Sequence, residues 1–132
     1  TAIEANELLT AIHFPARAPR SGFAVEEVAR RSGDFALAGA VCAVALDERG
    51  TVASARIALL GLAPAARRAE SAEAALIGAR AGAIDLAAVG RAACDDMEPN
   101  DDVHASADYR RRVGAHLVSR ALAKALEEAA RV

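Results

Sequence analysis

The stretch "FALAGAVCAVAL", Phe35 to Leu46, runs for twelve residues without a charged or amide side chain. It is shorter than the roughly 18 residues that a membrane-spanning helix needs. Its valines and small residues suit a strand that is apolar on both sides, so it is expected to be covered on both faces. A strand of this kind also requires partners along its edges. "DERG", Asp47 to Gly50, supplies a turn with the glycine last, where a positive φ costs little. "TVASARIALLG" then returns as a strand, with Ala53, Ala55, Ile57 and Leu59 on one side and Ser54 and Arg56 on the other. Upstream, Phe23 to Ala29 alternates imperfectly and reads as the first strand of an antiparallel three-stranded meander. Earlier still, Glu7 to Phe14 is expected to form a short strand, followed by a linker from Pro15 to Pro19.

The second half changes period. Pro64 suits a first helical turn, which predicts a helix to about Arg80 closed by Gly82, with Ala72, Ala75, Leu76 and Ala79 as its apolar stripe. Asp85 is placed to cap "LAAVGRAAC", whose inner face is Leu86, Val89 and Ala93. Ser106 is placed to cap the longest helix, Ala107 to about Ala130. Its predicted inner face runs through Tyr109, Val113, Leu117, Ala121, Leu122, Ala125 and Leu126. Strands first and helices after give an α+β fold class: a three-stranded antiparallel sheet over about 22–61, and a three-helix bundle over about 65–130 packed on it.

At 132 residues the chain most simply makes one such unit. Hydrophobic residues reach 54% but aromatics only 3%, so the core is built from small side chains and its elements must approach closely. A formal charge of −2 supplies no basic field for nucleic acid or an anionic membrane. The start, "TAIEANELLTAIHFP", lacks the basic-then-apolar order of a signal peptide, and a start without Met is compatible with a processed or excised piece. Cys42 and Cys94 show no CxxC or zinc spacing and read as buried reduced thiols, which points to a cytoplasmic setting.

Few motifs carry chemistry. No G-x-S-x-G, P-loop or G-x-G-x-x-G occurs, and His13, His104 and His116 lie in different elements, so no catalytic residue is assigned. An acidic segment holds Asp95, Asp96, Glu98, Asp101, Asp102 and His104, with the oxygen density of a calcium site but without the order of a calcium loop. Its negative charges are read as favouring the N-terminus of the last helix, and no metal ligand is assigned. "YRRR", Tyr109 to Arg112, places cations where they oppose the helix dipole, which suggests a fixed acidic partner such as Asp101, Asp102 or another chain. "RRSGDFAL", Arg30 to Leu37, is the remaining unusual loop. It has arginine charge, a glycine allowing close approach, a carboxylate and an aromatic plate, and it reads either as an ordinary strand turn or as a contact for an anionic or flavin-like ligand.

"RRSGDFALAGAVCAVAL" also resembles the start of the C-terminal domain in the flavoprotein (medium) subunits of molybdenum hydroxylases, of the aerobic carbon monoxide dehydrogenase type. "TAIEANELLTAIHFP", "GFAVEEVARRSGDFAL" and "DDVHASADYRRRVGAHLVSRAL" are similar to further family segments in the same order. The resemblance implies that residues 1–14 are the tail of a middle FAD-binding domain and that 15–132 form the C-terminal domain. It implies FAD as cofactor in the complete subunit, bordered here by Arg30, Arg31, Gly33, Asp34 and Phe35, with Phe35 against the isoalloxazine. Relatives often have tyrosine at Phe35, and some have lysine at Glu27. The implied partners are the preceding FAD-binding domains, a large subunit with the molybdenum cofactor and a small subunit with two [2Fe–2S] clusters, which pass electrons to the flavin. Nucleic acid and a membrane span are not expected. The isolated chain would be inactive, because the glycine-rich pyrophosphate-binding segments belong to the family's first two domains. The alternative is a scaffold domain of the same fold that does not touch flavin.

Overall fold

A computed structural model describes residues 3–14 and 16–131. Three long strands, β1 (Ser21–Val28), β2 (Ala38–Leu46) and β3 (Val52–Leu60), and a two-residue strand β4 (Arg67–Arg68) form one antiparallel sheet in the order β1-β2-β3-β4. Three helices follow, α1 (Glu70–Leu76), α2 (Leu86–Asp95) and α3 (Ala107–Ala130), with a single 3₁₀ turn at Ala81–Ala83. The α+β class, the meander and the three helices agree with the sequence reading; β4 is additional.

The core lies between the helices and one face of the sheet. Ala40, Cys42, Val44 and Leu46 of β2 and Ile57 and Leu59 of β3 pack against Leu76, Leu117, Val118, Leu122 and Leu126. Small residues permit that approach. A methyl on Gly22 of β1 would stand 1.7 Å from the Ala125 carbonyl of α3, and one on Gly90 of α2 would stand 2.2 Å from the Ala115 carbonyl. Between β1 and α3, Glu26 is joined to Lys124 and to Arg120 (3.2 Å), and Glu128 accepts from the Phe23 N–H at 2.7 Å. The predicted caps are present: Asp85 accepts from Ala88 N–H at 2.9 Å and Ser106 from Tyr109 N–H at 3.2 Å.

Several expectations change. Glu7 to Phe14 is not a strand: every residue from 3 to 14 is exposed, and with no buried face and no edge to pair with, nothing supports one. Thr1, Ala2 and Pro15 lie outside the described residues. The helix predicted from Pro64 to Arg80 is only Glu70–Leu76, and Gly78, at φ +83°, follows its end in place of Gly82. Its buried positions are Ala72, Glu73 and Leu76, while Ala75 is exposed. The β2–β3 pairing shifts register between Ala45 and Leu46 of β2, which pair with Ser54 and Val52, so Val52 turns inward and Ala53 outward. The second face of β2 is only half covered, with Val41 and Ala43 beside exposed Phe23 and Val25 of β1.

Candidate functional site

Between β1 and β2 the chain turns over residues 29–37. Leu37 N–H closes the turn on the Val28 carbonyl at 2.8 Å, and Asp34 N–H donates to the Arg31 carbonyl at 3.2 Å. Gly33 has φ +87°, the left-handed region that glycine enters without a Cβ penalty, and open space surrounds the position a Cβ would take. That turn lifts Phe35 away from the body of the domain. Its side chain is 99% exposed, although burial would stabilise such a ring by roughly 1.5–3 kcal/mol. It is the most exposed large hydrophobic side chain among the described residues and stands at the entrance of the long apolar strand β2.

Phe35 stands between two clefts. One, of about 300 Å³, is lined by Arg30, Gly33, Asp34, Phe35, Leu37 and His104. The other, of about 460 Å³, lies towards the end of β3, where Glu27, Asp34, Phe35, Leu60 and Pro64 are among its walls. Arg30 and Asp34 approach to 4.0 Å with both side chains about half exposed, so their charges remain available to a ligand. The structure therefore gathers Arg30, Gly33, Asp34 and Phe35. Arg31 is exposed, gives its carbonyl to the turn and does not line the first cleft. Glu27 borders the second cleft, on the outer face of β1.

Two residues absent from the sequence-derived set complete the region. His104 enters the first cleft from the acidic segment between α2 and α3. Arg110, the first arginine of the run in α3, is buried and is the fixed cation beneath the loop. Its Nη1 donates to the Leu37 carbonyl at 2.6 Å and its Nη2 to Asp102 at 2.6 Å. The acidic partner anticipated for the arginine run is thus Asp102. The His104 and Ala105 backbone N–H groups, with Arg110 beside them, hold the Asp102 carboxyl below the usual aspartate range. Asp101 accepts from the Ala107 N–H at 2.6 Å, so this part of the acidic segment serves the first turn of α3. Among the described residues, no three His, Cys, Asp or Glu side chains converge as metal ligands. Both cysteines are buried and free, and burial pushes the thiol of Cys42 up to about 12 and that of Cys94 up to about 11, which favours the protonated thiol over the nucleophilic thiolate.

Residues 23–125 match the family described as the CO dehydrogenase flavoprotein C-terminal domain. The chain is 42% identical to the 6-hydroxypseudooxynicotine dehydrogenase complex subunit alpha of Paenarthrobacter nicotinovorans, over 93% of this chain and 42% of that protein. It is 38% identical to the carbon monoxide dehydrogenase medium chain of Hydrogenophaga pseudoflava, over 92% of this chain and 42% of that one. Among solved structures, a carbon monoxide dehydrogenase from Hydrogenophaga pseudoflava, which lacks the Mo-pyranopterin moiety of the molybdenum cofactor, superposes with a TM-score of 0.80 at 39% identity. The match covers 86% of this chain and 39% of that one. The chain thus spans about two fifths of the length of these relatives.

Proposed function

The chain belongs to the C-terminal domain family of the flavoprotein (medium) subunits of molybdenum hydroxylases, CO dehydrogenase type, and from that premise we propose that the Arg30–Phe35 loop forms one wall of the FAD site of the complete subunit. The observation that carries this is Phe35: a ring 99% exposed at the rim of a cleft with a charged pair and an open glycine turn. The residues fit a flavin in kind. Phe35 presents a flat apolar face, for which stacking on another ring is worth about 0.5–1.5 kcal/mol beyond area burial. Gly33 leaves its backbone open to close approach. Arg30 and Asp34 set the local charge at the ring's edge, with Arg31 adding positive field from farther out.

FAD, when bound, would supply the redox chemistry of the complete subunit, at the point where electrons from molybdenum would arrive through [2Fe–2S] clusters of partner subunits. This chain's residues orient the ring, exclude water from one face and fix the charge near it. Residues 1–14 are proposed to be the tail of the preceding FAD-binding domain and 15–132 the C-terminal domain, with the large and small subunits as further partners. By itself the chain is proposed to be inactive, since the pyrophosphate-binding backbone would lie in the domains before it, and its two free, buried thiols fit a cytoplasmic setting.

The test uses the full-length subunit carrying Phe35→Ala or Asp34→Ala. Phe35→Ala is expected to lower FAD content after gel filtration, and Asp34→Ala to shift the flavin midpoint potential. The fully exposed Phe35 contributes little to folding, so thermal stability of the apo-subunit should stay within about 0.5 kcal/mol. Wild-type FAD content and potential in both variants would reject the flavin wall and leave a scaffold domain.

A further inference from the structure

Among the described residues only two charged side chains are buried, Glu73 and Arg110. Glu73 serves β3, where it accepts from the Ile57 N–H at 2.8 Å. Arg110 sits 7% exposed at the meeting point of three segments. Its Nη1 donates to the Leu37 carbonyl at 2.6 Å and lies 3.4 Å from the Gly61 carbonyl, and its Nη2 donates to Asp102 at 2.6 Å. Its Nε is buried without a hydrogen-bond partner. Desolvating a guanidinium is costly, and an apolar side chain of similar volume often serves stability as well or better. A single carboxylate would already neutralise it. What the arginine adds is a planar fork of donors that reaches separate loops at fixed angles, which the single ammonium of lysine does not reproduce.

Each segment so tied borders the candidate site. Leu37 is two residues beyond Phe35 and lines the first cleft itself. Gly61 borders the second cleft, and a Cβ there would stand 2.6 Å from the Leu37 carbonyl and 3.0 Å from that of Ala36, so the two loops already press on each other. Asp102 also accepts from the His104 N–H at 2.8 Å, and His104 faces the first cleft across from Arg30 and Phe35. One rigid helical residue thus holds the backbone under Phe35, the end of β3 and the segment bearing His104.

We propose that Arg110 is a positioning residue of the flavin wall: its fork on the Leu37 carbonyl, the Gly61 carbonyl and Asp102 sets the height and direction at which Phe35 and its neighbours meet the ring. The inference rests on the reading proposed above, and its test separates the two. In the full-length subunit, Arg110→Met removes the fork at similar length, and Arg110→Lys keeps the charge without the fork. Arg112→Met, on the exposed side of α3, is the control. Hydrogen exchange of amides 33–37 is measured in the apo-subunit, and FAD content and flavin midpoint potential after reconstitution with FAD.

Both Arg110 variants are expected to speed exchange of that loop by about tenfold or more, as loss of a tertiary tie lowers a local opening energy. Both should also lower FAD retention severalfold and shift the potential, while Arg112→Met changes nothing. Unchanged exchange in both Arg110 variants overturns the proposal and leaves the flavin wall standing. Faster exchange with wild-type FAD content and potential also overturns it, provided Phe35→Ala alters them; if Phe35→Ala is silent too, the flavin wall itself fails. Should Arg110→Met not fold, Asp102→Asn, which weakens one arm only, is expected to move loop exchange and potential in the same direction by less. No movement there overturns the proposal.

Discussion

Gly33 and Gly61 both sit at positive φ, +87° and +71°, yet a methyl would meet different surroundings at each. At Gly33 it enters open space, so Gly33→Ala is expected to cost only the left-handed backbone penalty, about 1–2 kcal/mol. At Gly61 it also meets the Leu37 carbonyl at 2.6 Å, so Gly61→Ala should cost clearly more and disturb the loop that carries Phe35. Urea midpoints of the two variants check the order, and equal losses would show that the loops yield freely. Tyr109 gives a second comparison. The spacing of α3 puts Tyr109 at the head of the apolar stripe, four residues before Val113, but the observed stripe starts at Arg110 and Gly114. Tyr109 is half-buried, with the Arg112 guanidinium 5.9 Å from its ring centre. Tyr109→Ala is accordingly expected to cost less than the fully buried Leu122→Ala, for which about 2–5 kcal/mol is usual. Arg110 was not legible from the sequence, because a periodicity of apolar residues treats arginine as surface. The dipole conflict of the arginine run was the one available signal; of the partners it suggested, Asp101, Asp102 or another chain, Asp102 is the one paired with Arg110.

At the scale of elements, α1 shows where pattern reasoning stops. Pro64 and the alanines after it fit a helix start, and local propensity offers nothing against it. The chain instead bends over residues 61–65 and then pairs Arg67–Arg68 with β3 at Ala58 and Leu59. The reason lies in Glu73, which is 4% exposed, accepts from the Ile57 N–H at 2.8 Å and is ion-paired with Arg68. The same carboxylate thus satisfies a strand amide and holds β4 beside it. The long strands, the caps and α3 were legible because each rests on local rules, period and capping, that tertiary contacts here reinforce. β4 was not, since its two exposed arginines carry no strand signal. The Arg30–Phe35 loop stood out in sequence by composition, while His104 and Arg110 joined it only through folding. Glu73→Ala is expected to leave the Ile57 N–H unmet at a cost of about 1–3 kcal/mol and to release β4. Exchange protection lost at Ile57 but kept at β1–β2 amides would bear this out, and uniform loss or no loss would contradict it.

Across the whole molecule, ionisable groups that differ between the folded and unfolded states bound the pH range of stability. Among the described residues five carboxylates, Glu26, Asp47, Glu73, Asp102 and Glu128, are held below their ordinary range. For Glu26 the Lys124 hydrogen bond is the main cause, for Glu128 the Phe23 N–H and for Asp47 the Thr51 N–H. For Glu73, burial raises the value, but Arg68 and the Ile57 N–H outweigh it. A carboxylate depressed in the folded state contributes stability above its unfolded pKa, near 4 by the usual values of about 3.9–4.3, and loses it as pH falls through the folded value. Glu26, Glu73 and Glu128 each join separate elements, so acid should part the helices from the sheet. The buried thiols act at the other end. Raised to about 12 and about 11 by burial, Cys42 and Cys94 stay protonated in the fold while the unfolded chain loses those protons from about 8.5 upward. Stability conferred below that pH is therefore lost as pH rises towards the folded values, at about 1.4 kcal/mol per pH unit for each thiol. Urea unfolding against pH is expected to give a plateau between about pH 5 and 8 with a limb on each side. Cys42→Ala should lower the plateau by the cavity it leaves, yet make the alkaline limb shallower by one proton's worth. An alkaline slope unchanged in that variant would mean that Cys42 ionises as freely in the fold as in the unfolded chain, against its complete burial beneath α3.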